Sequence, residues 1–176
     1  SAASDVYKRQ KENGWAAVSI RAVASRCSVS AGTIYNYYES KADLLSDTIE
    51  SIWHEIFFHP EDEQVFHDVE SCISWIYERL EYGNRQFPGF FSLHSFGFMR
   101  DEKTSGKKRM MKTWGHILNG LCEVLGNDPK VRADVFDQEF TEKKFADILF
   151  SLILVSMIRQ DYDPSSVLML VKKTLY

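Results

Sequence analysis

A chain of 176 residues that is 44% hydrophobic and 14% aromatic can bury a sizeable core, which argues against a disordered chain. Its four prolines and nine glycines are few for the turns of an all-β fold. The net charge of −4 argues against nucleic acid for the chain as a whole, yet it is unevenly spread: residues 1–45 hold six Lys/Arg against four Asp/Glu, and the remainder fifteen against twenty-one.

In chain order the elements read as helix nearly throughout. Asn13 to Trp15 reads as a helix stop with Gly14 at the left-handed position. Ser19 caps a short helix from Ile20 to about Arg26, with Ile20, Val23, Ala24 and Cys27 on one face. The turn "CSVS" follows, and Ser30 caps a second short helix over Ala31 to Tyr37. Ser40 and Asp43 form an S-x-x-D cap for a long helix to about Phe58. Further helices are expected from about Gln64 to Phe87, Lys107 to Leu125, Thr141 to Gln160 and Ser165 to Leu175, with one short helix within "DPKVRADVF". The aromatic, glycine-punctuated "PGFFSLHSFGFM" reads as short or irregular helix. The fold class is therefore all-α, with residues 1–46 as a helix-turn-helix head and 47–176 as a larger helical domain. The apolar run Ile148 to Ile158 is too short to cross a bilayer and contains two serines. With no secretory leader visible, and with Cys27, Cys72 and Cys122 far apart, a cytoplasmic setting is expected rather than a disulfide framework or zinc site.

Two short helices joined by "CSVS" can dock on duplex DNA, the first propping the second against the major groove. Val29 is expected to plug the turn, and Ile34 with part of Tyr35 to anchor the second helix from behind. Ser30, Ala31, Gly32, Thr33, Asn36 and Tyr37 then face outward. Small residues at 31 and 32 permit close approach, and the helix N-terminus favours phosphate. The Thr33 hydroxyl and Asn36 amide can reach base edges, while tyrosine hydroxyls and Lys41 can bond phosphate oxygens.

The stretch "SIRAVASRCSVSAGTIYNYYESKADLL" resembles the DNA-binding head of TetR-type (tetracycline-repressor) transcriptional regulators. Ser19, Val23, Ala24, Val29, Ser30, Thr33, Ile34, Tyr35, Tyr37, Lys41, Leu44 and Leu45 match that pattern, over about a quarter of the chain. The resemblance implies that Arg21 can reach a base, where a solvated arginine is the alternative. It implies recognition-helix contacts for Thr33, Tyr35, Asn36 and Tyr37, and a phosphate contact for Lys41. There are three departures. Ser28 stands at the turn glycine, where positive φ would strain a serine, and Tyr38 stands for a phenylalanine and needs a hydroxyl partner. Arg9 and Gln10 stand where apolar residues are usual, so residues 1–10, with almost no amphipathic pattern, are expected to be foreign junction sequence.

The helix over 141–160 is apolar on nearly all sides, which suits burial by its own core and by a second copy; a homodimer through 141–160 and 165–175 is expected, as the resemblance also implies. The middle of the chain gathers Trp53, Phe57, Trp75, Tyr82, Phe90, His94, Met110 and Trp114, with His116 as a further polar point. The resemblance implies an effector cavity there, and apolar walls with few polar anchors suit a small organic ligand. The bland alternative is an ordinary core. His54 and His59 stand at i, i+5, the wrong spacing for a zinc pair, and no catalytic or nucleotide fingerprint occurs, so neither metal, cofactor nor enzymatic activity is expected. The basic "GKKRMMK" reads as a solvated face. Together these point to a homodimeric, effector-released repressor reading a palindromic operator. A helical adaptor using the same head on a protein partner is the alternative.

Overall fold

The computed structural model describes residues 2, 4–6, 21, 24, 25, 27–58, 66–91 and 105–176, with side chains outside 105–111. The expectations placed on Asn13 to Trp15, Ser19, Ile20, Val23, His59 and His94, and on the Met110 side chain, lie outside these residues. Among the described residues every regular element is helical: α1 (Ala31–Tyr35), α2 (Lys41–Phe57), α3 (Val69–Gln86), α4 (Ser105–Asn127), α5 (Glu142–Arg159) and α6 (Ser165–Leu175). Helical backbone at 4–6, 21, 24 and 25 precedes α1. The chain divides into two compact units, Ser1–Glu55 with Arg85–Thr113, and Ile56–Asn84 with Trp114–Tyr176.

In the first unit the head closes around Val6, Ala24, Ile34, Leu44 and Leu45, with Ala2, Cys27, Ala31 and Tyr38 packed on them. Each valine, leucine or isoleucine buried this way contributes about 1.5–3 kcal/mol. Val6 is fully buried, an apolar contribution not expected of residues 1–10. Val29 instead lies on the surface, which corrects its expected role as a plug; its backbone N–H is held by the Ala24 carbonyl at 3.0 Å. Ser40 and Asp43 make the expected reciprocal cap: Asp43 N–H and Ser40 Oγ at 3.2 Å, Ser40 O–H and Asp43 Oδ2 at 2.8 Å. The Tyr38 hydroxyl finds its partner in Asp47, at 2.8 Å. Farther along, Trp53 packs edge-on to Phe90 with centroids 5.3 Å apart, and Phe91 lies beside both.

The second unit is a helical core of α3, α5, α6 and the C-terminal part of α4. Its α3 starts at Val69, capped by Asp68, which accepts from Ser71 N–H at 2.8 Å and Ser71 O–H at 3.0 Å. Helix α5 begins on the Thr141 cap and ends at Gln160 in the left-handed conformation. It buries Phe145, Ala146, Leu149, Phe150, Ile153 and Met157 on one face. Tyr77 of α3 bonds Ser156 of α5 at 2.7 Å.

Residues 128–140 hold turns, not the short helix expected there. The cause is side-chain capture of the backbone. Asp128 accepts from Val69 and Lys130 N–H groups, and Asp137 accepts from Glu139 and Phe140. An aromatic trio, Phe136, Phe140 and Phe145, fastens the far end of this connection to α5.

Candidate functional site

The turn into α1 is built on Ser28 at φ 56°, the position where glycine is usual. Ser28 N–H is held by Ser25 O at 3.2 Å, which turns the chain sharply between the two helices. Ser30 then caps α1, accepting from Thr33 N–H at 3.1 Å, while its hydroxyl meets that of Thr33 at 2.9 Å. Ile34 is buried in the head core and fixes the rotation of this single helical turn. What remains outside follows from that one anchor. Tyr35 is 53% exposed and Tyr37 80% exposed, and Asn36, the C-cap of α1, is exposed between them. Ser30, Gly32 and Arg21 are exposed, and Ala31, Thr33 and Lys41 are half-buried. A Cβ on Gly32 would meet only Ser30 Oγ, at 3.6 Å, so the smallness of this residue serves the outer face and not the packing beneath.

Ala31 backs onto the head core, and the two hydroxyls of Ser30 and Thr33 are turned on one another. That leaves the Asn36 amide and the two tyrosine hydroxyls as the outward polar groups at the end of α1. Lys41 opens α2 a few residues farther on.

The aromatics of the middle region do not form one group. Phe57 and Trp75 line a cavity of about 180 Å³ in the second unit, together with Phe66, Cys72 and Ile76. Its other wall is His116, Ile117, Gly120 and Leu121 of α4. Trp53 and Phe90 belong to the first unit and fill its core. Tyr82 lies under the Arg79 guanidinium at 4.2 Å, and Trp114 packs edge-on to Phe150 at 5.7 Å; neither lines the cavity. The lining residues that an aromatic count overlooks, Cys72 and Ile76 on α3 and Ile117, Gly120 and Leu121 on α4, stand at i, i+3, i+4 helical spacing around Trp75 and His116. That spacing is the signal that finds them. Burial pushes the Cys72 thiol up to about 12, so it is a wall atom and a poor nucleophile. Among the described residues no group of three His, Cys, Asp or Glu side chains is arranged to hold a metal ion, and no helix is long and apolar enough to cross a membrane.

Residues 11–48 match the family model described as bacterial regulatory proteins, tetR family. No curated protein matches the chain. Among solved structures, a transcriptional regulator from Rhodococcus sp. Rha1 superposes with a TM-score of 0.67 at 17% identity, covering 93% of this chain and 83% of that one. A transcriptional regulator of the TetR/AcrR family from Thermobifida fusca YX-ER1 superposes with a TM-score of 0.60 at 15% identity, covering 98% and 92%. At these identities the likeness is one of fold.

Proposed function

We propose, on the premise that a chain with this N-terminal domain is a tetR-family regulatory protein, that it represses transcription by binding a palindromic operator as a homodimer and is released by a small organic effector. Residues 1–46 read the duplex, and 47–176 carry the effector cavity and the self-association surface. The reading is carried by one observation: the Asn36 amide and the Tyr35 and Tyr37 side chains are exposed at the end of a helical turn that Ile34 anchors from beneath. A helix with this outline fits the major groove, where an amide can pair with adenine in two directions at once. Tyr35 and Tyr37 hold the sugar-phosphate backbone, Thr33 joins Asn36 at base edges, Ala31 and Gly32 beside the Ser30 cap give room for close approach, and Arg21 adds a base contact from the leading helix. Lys41 neutralises a phosphate.

One short helix reads few base pairs, so two copies are needed to specify a site. Support for a dimer comes from α5 and α6, which leave Ile148, Val155, Ile158, Met169 and Leu170 exposed. Effector binding acts by favouring a separation of the two heads that misfits successive grooves.

Selection of bound duplexes from a random pool tests the reading, since it returns the half-site and its spacing together. Asn36→Ala should then cost about 1–3 kcal/mol on the selected site and relax one base position. Tyr37→Ala should weaken selected and random duplexes alike. Lys41→Ala should reduce the slope of log K against log salt by about 1. A pool that returns no enriched duplex, or affinity indifferent to salt, would overturn DNA recognition in favour of a head that binds protein.

A further inference from the structure

The cavity in the second unit has a definite size, lining and mouth. Its floor is Cys72, Ile76 and Leu121, each at most 3% exposed. Phe66, packed edge-on to Trp75 at 5.2 Å, is 40% exposed, and His116 across from it is exposed, so this side is the opening. Among the described residues that line the cavity there is no carboxylate, lysine or arginine. A charged ligand would leave water for this floor with no countercharge among these lining residues, which is strongly unfavourable.

Of the three α4 glycines at which a Cβ would meet nothing within 4 Å, Gly115, Gly120 and Gly126, Gly120 alone lines the cavity. It stands well inside α4, where glycine costs about 1 kcal/mol relative to alanine. A glycine in such a place usually admits a close neighbour, but a Cβ built on Gly120 meets nothing within 4 Å. The space its missing side chain leaves is part of the cavity. An apolar cavity of about 150 Å³ suffices to take benzene, and this one measures about 180 Å³.

We propose that the cavity binds a single uncharged aromatic ring with one small substituent. The ring lies against Trp75 and Phe57 over the Cys72–Ile76 floor, and a hydroxyl substituent reaches His116 at the mouth. As the effector, this ligand class rests on the regulatory reading above; as an occupant of the cavity it does not.

The test uses the full chain, with p-cresol, toluene, benzoate and decanoate as probes, followed by calorimetry, melting temperature and tryptophan fluorescence. Cresol and toluene should raise the melting temperature, and cresol should bind several-fold more tightly through its hydroxyl. His116→Ala should remove that preference while leaving toluene unchanged. Gly120→Leu, which fills the space, should weaken both rings by at least about tenfold without lowering the melting temperature of the free protein. Should leucine lower it, Gly120→Ala gives the same direction with a smaller intrusion. Gly115→Ala, on the same helix but outside the lining, controls for helix propensity and should leave ring affinity intact. Benzoate or decanoate binding more tightly than cresol, or ring affinity indifferent to Gly120→Leu, overturns the proposal, as does absence of ring binding altogether. A parallel duplex-binding measurement separates the two readings. Ring binding without duplex binding sinks the regulator and spares the cavity; duplex binding without ring binding does the reverse.

Discussion

Among the described residues two that are not glycine hold the left-handed backbone conformation, Ser28 at φ 56° and Gln160 at φ 54°. The two carry different consequences. Gln160 ends α5 by donating its N–H to Met157 O, while Asp161 N–H reaches Ser156 O, so the conformation terminates a helix. Ser28 sits in the turn that aims α1, with a Cβ crowded against its own backbone at a cost of about 1–2 kcal/mol. Glycine would relieve that strain but raises the entropy of the unfolded chain. Ser28→Gly should therefore stabilise the protein by about 0.5–1 kcal/mol net, read as an increased urea midpoint at unchanged slope. Ser28→Val should destabilise it by more than that, since a β-branched residue tolerates positive φ least. The strain at Ser28 is legible in the sequence, because turns resembling this one carry glycine at that position. The burial of Val6 was not, because a lone valine among polar residues carries no periodic signal.

The helices are legible in the 3.6-residue periodicity, and every boundary of α1 to α6 except the start of α3 agrees with it to within two residues. Helix α3 starts at Val69 and not at about Gln64, because the Asp68 carboxylate captures the Ser71 N–H and O–H and sets the cap there. The turns over 128–140 are not legible in local sequence, because contacts from far along the chain help to set their conformation. Asp128, 5% exposed, accepts from Val69 N–H at 3.0 Å, from Lys130 N–H at 2.9 Å and from the Tyr176 hydroxyl. One carboxylate thus joins the start of α3, the end of α4 and the residue after α6. Lys130 adds ion pairs to Asp68 and Glu70, each at 3.7 Å, and Lys172 pairs with Glu70 at 3.1 Å, but these are half-solvated and individually weak. Removing the buried acceptor leaves its donors unsatisfied, so Asp128→Ala should destabilise by about 2–4 kcal/mol. Tyr176→Phe removes one donor only and should lose about 1–2 kcal/mol. The two losses should fall short of additivity in the double variant, because they share a hydrogen bond. Additive losses in denaturant titration would show that the Tyr176 hydroxyl contributes independently of its bond to Asp128.

At the scale of the whole molecule, two properties emerge that belong to no single helix. The first is the response to alkali. Burial pushes Cys72 and Tyr162 up to about 12; it also raises Tyr77, partly offset by its bond to Ser156, and raises Tyr176 together with the Asp128 contact. Each group is neutral when protonated and releases its proton less readily folded than unfolded. The stability it contributes is therefore present below its unfolded pKa and is lost as pH rises through the folded one. Melting temperature should be flat up to about pH 9, where an unfolded thiol begins to ionise, and then fall continuously toward about pH 12 as tyrosines follow. Cys72→Ala should make the first part of that fall shallower without moving its onset, because burial and the Asp5 contact also raise the Cys27 thiol.

The second is the self-association proposed above. On α5 the residues Ile148, Val155 and Ile158 recur at i, i+7, i+10, opposite the buried face, and each stays nearly half exposed. Met169 and Leu170 are exposed on α6. Completing the burial of these five side chains contributes on the order of 1 kcal/mol each. A two-fold axis doubles this to roughly 10 kcal/mol. Lost translational and rotational freedom costs about 4–15 kcal/mol, so the apolar term is of the size needed to hold a dimer but leaves little surplus. A single charge placed in the stripe should therefore tip the balance. Ile158→Glu should sediment as a monomer at concentrations where the parent chain is dimeric. Its melting temperature extrapolated to high dilution should match the parent's, because Ile158 is already solvated in the isolated chain. The same variant should lose binding to the full palindrome while retaining the weak affinity of one half-site. A parent chain that sediments as a monomer, or an Ile158→Glu chain still dimeric, would place self-association on some other surface.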